Sequence, residues 1–307
     1  MRIAVTTSSF ATYGDEPLRL LEQAGADIVL NPHGRKLTPD ETKQLLAGCA
    51  GVVAGTEELS AGVLESLPDL KAISRVGVGM DNVDQAAAER LGIKVANTPM
   101  GPTRAVAELT VGLALALMRR VCEMDRELRA GTWKKRMGWL LTGKVVGVIG
   151  MGRIGQATAK LMRAMGAEVV YADPVAQCAD YRCLALDDLL ATADIVTLHC
   201  SRPAGGGMVI GAREIGRMKS GSWLINCGRG GLVDEAALAE ALLEGSLSGA
   251  AVDCFDSEPY AGPLTTCPTA VLTPHIGSYA REGRTAMETD AVRNLLRLLG
   301  TGKETQS

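Results

Sequence analysis

Apolar positions in the first hundred residues fall in short runs separated by amphipathic stretches. Ile3-Ala4-Val5, Ile28-Val29-Leu30, Gly51-Val52-Val53-Ala54, Lys71-Ala72-Ile73-Ser74-Arg75 and Lys94-Val95-Ala96 read as strands, with helical periodicity over 17–24, 39–47 and 61–67. This alternation predicts a parallel sheet with helices on both faces, and binding groups at the carboxyl ends of the strands, where residues 75–79 lie. Asn97-Thr98-Pro99-Met100-Gly101-Pro102 is the expected crossing into a second domain, stiffened by two prolines. One long helix is then predicted over 108–129, with Thr103 as a candidate N-cap. Further strands follow at 195–198, 223–226, 250–252 and 270–273. A last helical pattern over 285–299 has no linker before it and could return to pack on the first domain.

Mid-chain, the apolar run Val145-Val146-Gly147-Val148-Ile149 leads into Gly150-Met151-Gly152-Arg153-Ile154-Gly155, a G-x-G-x-x-G turn followed by a helical stretch over 156–165. Strand, glycine turn and helix in this order form a dinucleotide-binding unit. Gly150 permits the tight turn, Gly152 admits the pyrophosphate, Gly155 allows helix and strand to pack closely, and the helix N-terminus faces the phosphates. The next strand, Glu168-Val169-Val170-Tyr171, ends near Asp173, placed to accept from ribose hydroxyls and to repel a 2′-phosphate. The reading is NAD rather than NADP.

Composition narrows the remaining classes. The 307 residues suffice for two domains, 47% hydrophobic and 22% charged residues are globular values, and a net charge of −3 gives no basic face for nucleic acid. The longest apolar stretch, 111–118, is far short of a membrane span, and the N-terminal residues read as a first strand rather than a signal peptide. Eight cysteines, scattered without a C-x-x-C pair, argue against a disulfide framework or a metal site and point to a reducing, cytoplasmic setting.

Three segments at strand ends carry chemistry: Asn226-Cys227-Gly228-Arg229-Gly230-Gly231, the segment 253–259 with Asp253 and Glu258, and Thr273-Pro274-His275-Ile276-Gly277. Each should surface at the same sheet edge as the glycine turn. His275 can move a proton near neutral pH, Glu258 can hold its ring, and Arg229 can grip a carboxylate with two donors. His33, in a polar loop, and His199, at a strand end, have no comparable pattern around them.

These motifs resemble, in order and spacing, those of the D-isomer-specific 2-hydroxyacid dehydrogenases. The resemblance also covers the segment 77–84, Asn97-Thr98-Pro99 and Val106-Ala107-Glu108, and so runs the length of the chain. Within that family the chain is most similar to short D-3-phosphoglycerate dehydrogenases without a regulatory domain. The resemblance implies two doubly wound, Rossmann-like domains: a flavodoxin-like substrate domain, 1–98 plus 278–307, and an NAD-binding domain, 99–277. It implies Arg229, Glu258 and His275 as catalytic residues and Asp253 as the nicotinamide-carboxamide contact. Arg75, Val76 and Gly77 would hold substrate together with Arg229 and His275. To the glycines and Asp173 it adds Val78, Arg153, Ile154, Cys200, Cys227, Gly228, Arg229, His275 and Gly277 as cofactor contacts.

The implied reaction is hydride transfer at C2 of a small anionic D-2-hydroxy or 2-oxo acid, with 3-phosphoglycerate first. Glyoxylate/hydroxypyruvate, D-lactate-type and phosphonate-related substrates stand as alternatives, as does a non-catalytic NAD-sensing corepressor-like protein. A homodimer is expected around 108–129 and the loop after it, on account of the apolar stripe 111–118 and of the resemblance. Ala54 stands where many phosphoglycerate dehydrogenases have arginine. Arg35, Lys36 and Lys134-Lys135-Arg136 are the cations that could meet a phosphate instead, the last three from a partner subunit.

Overall fold

The computed structural model describes residues 1–203 and 205–301, and the chain separates into two compact units. One comprises Met1–Pro102 with the segment that starts at Ser278; the other is Thr103–Gly277. Both are α/β, and both sheets are wholly parallel.

The first unit begins β1 (Arg2–Val5), α1 (Glu16–Gln23), β2 (Asp27–Leu30), α2 (Pro39–Leu46) and β3 (Gly51–Ala54). It continues α3 (Ala61–Leu64), β4 (Ala72–Arg75), α4 (Gln85–Arg90) and β5 (Lys94–Asn97). The strand order β2-β1-β3-β4-β5 is that of flavodoxin-like sheets. Capping starts α2 cleanly: Thr38 accepts from the Glu41 amide while Glu41 accepts from the Thr38 amide.

The chain next forms α5 (Gly101–Met118) and α6 (Val121–Arg129), and the second unit's sheet begins with β6 (Val145–Ile149). Then follow α7 (Arg153–Ala164), β7 (Glu168–Ala172), β8 (Arg182–Cys183), α8 (Leu186–Thr192), β9 (Ile195–Leu198) and α9 (Ala212–Ile215). The remaining elements of this unit are β10 (Trp223–Asn226), α10 (Glu235–Glu244), β11 (Gly249–Val252) and β12 (Ala270–Leu272). The order β12-β11-β10-β9-β6-β7-β8 runs outward in opposite directions from β6 and β9. A crevice at such a switch point is where doubly wound sheets bind nucleotides. Leu224, Val196 and Leu198 pack with α8 and α10 on one face, while Val146, Val148 and Ile225 pack with α5 and Met162 on the other.

The terminal helix α11 (Arg281–Leu298) belongs to the first unit, where Met287, Ala291, Val292 and Leu295 pack on Ile3, Val5, Val53 and Ala72. A Cβ on Gly51 would lie 2.8 Å from a Leu299 methyl, so the glycine lets the helix end close on β3. Arg284 and Glu288 form a buried 2.7 Å ion pair on this helix. Glu288 also accepts the Ala11 amide at 2.9 Å, which anchors the loop after β1.

The expectation of one helix over 108–129 is corrected here. The helix predicted over 108–129 is two helices, and Thr103 lies inside the first rather than capping it. Arg120 takes φ 53 at the break, and the Met118 carbonyl, instead of continuing the helix, accepts the Trp139 amide at 3.0 Å. A Cβ on Gly138 would sit 2.5 Å from that carbonyl, so the returning segment itself ends the helix. The apolar stripe expected to pair subunits is largely internal, with Leu113, Ala114, Leu117 and Met118 in the core of the second unit.

Candidate active site

The glycine turn meets the geometric demands of a dinucleotide. Gly150 takes φ 91, and a Cβ there would fall 2.6 Å from the Cys200 amide nitrogen. A Cβ on Gly155 would fall 2.0 Å from the Gly150 carbonyl, so the start of α7 rests on the turn. Gly152, by contrast, faces open space. The amides of Arg153 and Ile154 have no acceptor among the described residues, which leaves donors and the positive end of a 12-residue helix for an anion.

Asp173, just beyond β7, has a structural duty the sequence does not reveal. It accepts the Met151 amide at 2.7 Å on one oxygen, and the Val175 and Ala176 amides at 2.8 and 2.7 Å on the other. Burial works to raise its pKa, but these three amides outweigh it and hold the carboxyl below its ordinary value. The charge that would meet a 2′-phosphate is thus fixed to the glycine turn itself.

Beyond β10, Asn226 shapes the loop that carries Arg229. Its side-chain amide donates to the Arg229 carbonyl at 3.0 Å, and its oxygen accepts the Gly228 amide at 3.1 Å. Gly228 lies against Cys200, since a Cβ would come 3.3 Å from the Cys200 carbonyl. The ends of β6, β9 and β10 therefore meet. Burial raises the pKa of Cys200 and pushes the Cys227 thiol up to about 12, so neither is a thiolate nucleophile.

The loops after β11 and β12 are joined by Asp253, which is 1% exposed. It accepts from the Thr273 hydroxyl at 2.6 Å and from the Ile276 and Gly277 amides, each at 2.8 Å. This pins the segment carrying His275, whose backbone takes φ 53. The His275 Nδ1 lies 3.0 and 3.1 Å from the two oxygens of Glu258, and the Phe255 amide donates to Glu258 at 3.1 Å. With Nδ1 so occupied, Nε2 is the ring atom left to exchange a proton with a ligand.

In the first unit the loop after β4 departs from expectation. The Val76 amide donates to the Ala54 carbonyl at 2.9 Å and the Gly77 amide to the Thr98 hydroxyl at 2.8 Å. Neither is available to a substrate carboxylate. The amides of Val78 and Gly79 have no acceptor among the described residues, so the donors open to a ligand lie two positions further on. Arg75 pairs in register with Ala54, donates to the Val76 carbonyl and covers Gly77, where a Cβ would overlap its guanidinium. Behind it lies Glu57, 1% exposed, which accepts from the Thr6 hydroxyl and the Gly55 amide. Burial raises the Glu57 pKa, against the pull of these donors and of the Arg75 charge.

Two of the other expected cations are engaged within the chain. Arg35 pairs with both oxygens of Glu41 at 2.8 and 2.6 Å. Arg136 pairs with Glu123 at 3.0 Å and with Glu127, both on α6 of its own chain. Among the described residues no group of His, Cys, Asp and Glu could hold a metal, and no helix is long and apolar enough to cross a membrane.

Comparison with known proteins agrees with this geometry. Residues 111–277 match the model for the NAD-binding domain of D-isomer specific 2-hydroxyacid dehydrogenases. The chain is 37% identical over 268 residues to D-3-phosphoglycerate dehydrogenase of Mycobacterium leprae, which covers 84% of this chain but 51% of that one. It thus spans about half the length of that relative. It is 39% identical over 263 residues to glyoxylate reductase of Thermofilum pendens, covering 80% of this chain and 76% of that one. A solved protein of Thermus thermophilus superposes with a TM-score of 0.92 at 38% identity, over 100% and 99% of the two chains. A glyoxylate reductase from Paecilomyes thermophila superposes with a TM-score of 0.86 at 25% identity, over 97% and 95%.

Two outcomes are expected. Because a fixed Asp173 charge would face a 2′-phosphate, kcat/KM with NADH should exceed that with NADPH by about a hundredfold, equivalent to a few kcal/mol. Equal efficiency in side-by-side steady-state assays would refute the role. His199 bears on stability: its Nε2 is 3.0 Å from the Thr197 hydroxyl, its Nδ1 is buried, and burial lowers its pKa to about 3. Since the folded state resists protonation, stability should be full above the unfolded-state value near pH 6.5 and fall as pH drops toward 3. The slope should reach at most about 1.4 kcal/mol per pH unit. Urea melts at pH 7 and 4.5 should show a smaller loss in His199→Asn, and identical losses would refute the assignment.

Proposed function

Because the chain belongs to the D-isomer specific 2-hydroxyacid dehydrogenase family, we propose that it is an NAD-dependent oxidoreductase acting on a small anionic D-2-hydroxy or 2-oxo acid. The observation that carries this is the Glu258–His275 pair on the sheet edge that bears the open glycine turn. The bound dinucleotide supplies the hydride acceptor for oxidation, or the donor for reduction, at substrate C2. His275 takes the hydroxyl proton as the alcohol is oxidised and returns it to the carbonyl oxygen in reduction. Glu258 fixes the ring so that Nε2 faces the oxygen. Arg229 grips the substrate carboxylate and draws density from the adjacent carbonyl.

The expected substrate tail was a phosphate, as in 3-phosphoglycerate. The engagement of Arg35 and Arg136, and the placing of a buried Glu57 behind Arg75, favour the shorter alternatives, glyoxylate and hydroxypyruvate. An NADH-oxidation panel of glyoxylate, hydroxypyruvate and 3-phosphohydroxypyruvate decides between them. A kcat/KM for the phosphorylated acid above that for hydroxypyruvate would restore the phosphate reading. The eight cysteines are all free thiols, which suits a cytoplasmic setting.

His275→Ala should lower kcat by ~10²–10⁴ while NADH binding, read by tryptophan fluorescence, stays within about threefold. Retained turnover would remove His275 from the chemistry. For assembly, the second unit exposes Trp133, Met137 and Leu140 at 83%, 88% and 70%, beyond the stripe that is internal. We infer that these residues cover one another in a homodimer. Light scattering should give twice the 32.1 kDa chain mass at micromolar concentration, and Trp133→Ser with Leu140→Ser should shift it to the monomer. A monomeric parent protein would refute the interface.

A further inference from the structure

The loop after β9 carries an arginine that neither the sequence motifs nor the proposed proton and hydride chemistry uses. Arg202 donates through Nε to the Gly230 carbonyl at 2.6 Å and through Nη2 to Asp256 Oδ1 at 3.1 Å. Gly230 follows Arg229 in the loop after β10. Asp256 precedes Glu258 by two residues in the loop after β11. One guanidinium therefore spans the two loops that present the proposed carboxylate grip and the partner of His275.

The surroundings fit this bridge. A Cβ on Gly230 would fall 1.7 Å from the Phe255 carbonyl, so the loops already touch where the arginine joins them. Gly231 takes φ 70, and a Cβ there would lie 2.8 Å from Arg202 Nη2 and 2.7 Å from Asp256 Oδ1. The absence of that side chain makes room for the pair. On the other side, Glu235 at the start of α10 accepts the Asp256 amide at 2.9 Å. The preceding residue, Phe255, donates its amide to Glu258, which holds His275. Contacts thus run without a gap from Arg202 through Gly230 and Phe255 to Glu258.

Stability is not the main consequence. The Arg202 and Asp256 side chains are 46% and 68% exposed, and an ion pair so open to water contributes little to folding. Two-point attachment does fix geometry, because the planar guanidinium sets both distance and angle between its acceptors. Displacements of about an ångström at a reacting pair are enough to change rate. We propose that Arg202 is a positioning residue which clamps the loops after β10 and β11, keeping Arg229 in register with the Glu258–His275 pair. This rests on the hydride-transfer reading above.

The test uses Arg202→Leu and Arg202→Lys, each alone and with Glu258→Gln, assayed with NADH and glyoxylate. Arg202→Leu should lower kcat about tenfold with KM for NADH within about twofold, and Arg202→Lys, which keeps the charge but not the planar two-point fork, should recover little of the loss. In the Glu258→Gln background Arg202→Leu should cost less than about twofold more, since the clamp acts through the loop that holds Glu258. A full tenfold loss in that background, or an unchanged kcat in the single variant, overturns the proposal. Amide hydrogen exchange on the NADH-bound protein reads the clamp without turnover, and exchange over 228–231 and 254–258 should rise in Arg202→Leu. If the parent protein reduces no 2-oxo acid, the hydride-transfer reading fails. Exchange then decides the clamp alone, and unchanged rates at both loops overturn it, with Arg202→Lys serving where the leucine variant does not fold.

Discussion

The arrangement of the second unit depends on one buried carboxylate. Asp253 stands at the end of β11 with 1% of its surface exposed, and each hydrogen bond its side chain accepts comes from the segment after β12. Leaving such a group unsatisfied costs about 1–3 kcal/mol for each lost partner. The segment 273–277 is therefore drawn onto the strand end rather than left as a mobile turn. His275 holds φ 53, a left-handed conformation uncommon outside glycine, within this anchored segment. Glu258 then needs only to meet a ring whose position is already set.

Glycines do the complementary work of letting backbones approach. Gly150 and Gly155 bring the end of β6, the start of α7 and Cys200 into contact, and Gly230 brings the loops after β10 and β11 together. At each point a methyl group would overlap backbone atoms, which cannot swing aside as a side chain can. The consequence is chemical as well as steric. Among the described residues the Arg153 and Ile154 amides at the head of α7 have no acceptor, as the first amides of a helix have none within it.

Charge in the first unit is handled differently, by pairing within the chain. Glu288 joins Arg284 to the loop after β1, Glu41 caps α2 while holding Arg35, and Glu57 lies buried behind Arg75. A count of cations along the sequence overstates what a ligand would meet, because several have partners supplied by the fold. Arg136, held by Glu123 and Glu127, makes the same point in the second unit.

By itself the sequence determined the features whose causes are local. Strand runs, the glycine turn and the spacing to Asp173 lie within some twenty residues of one another, and the alternation of strand and helix leaves few topologies open. Arg229, Glu258 and His275 were legible for a related reason: each directly follows or closely trails an apolar run that ends at one sheet edge. Tertiary structure alone decided which groups stay available once distant segments have met. Ala54 and Thr98 take the Val76 and Gly77 amides, the return of Gly138 and Trp139 divides one helical pattern into two helices, and Gly230 and Asp256 give Arg202 its place. In each case a hydrogen bond between residues far apart in sequence consumes or orients a group, and no local pattern records which partner will arrive.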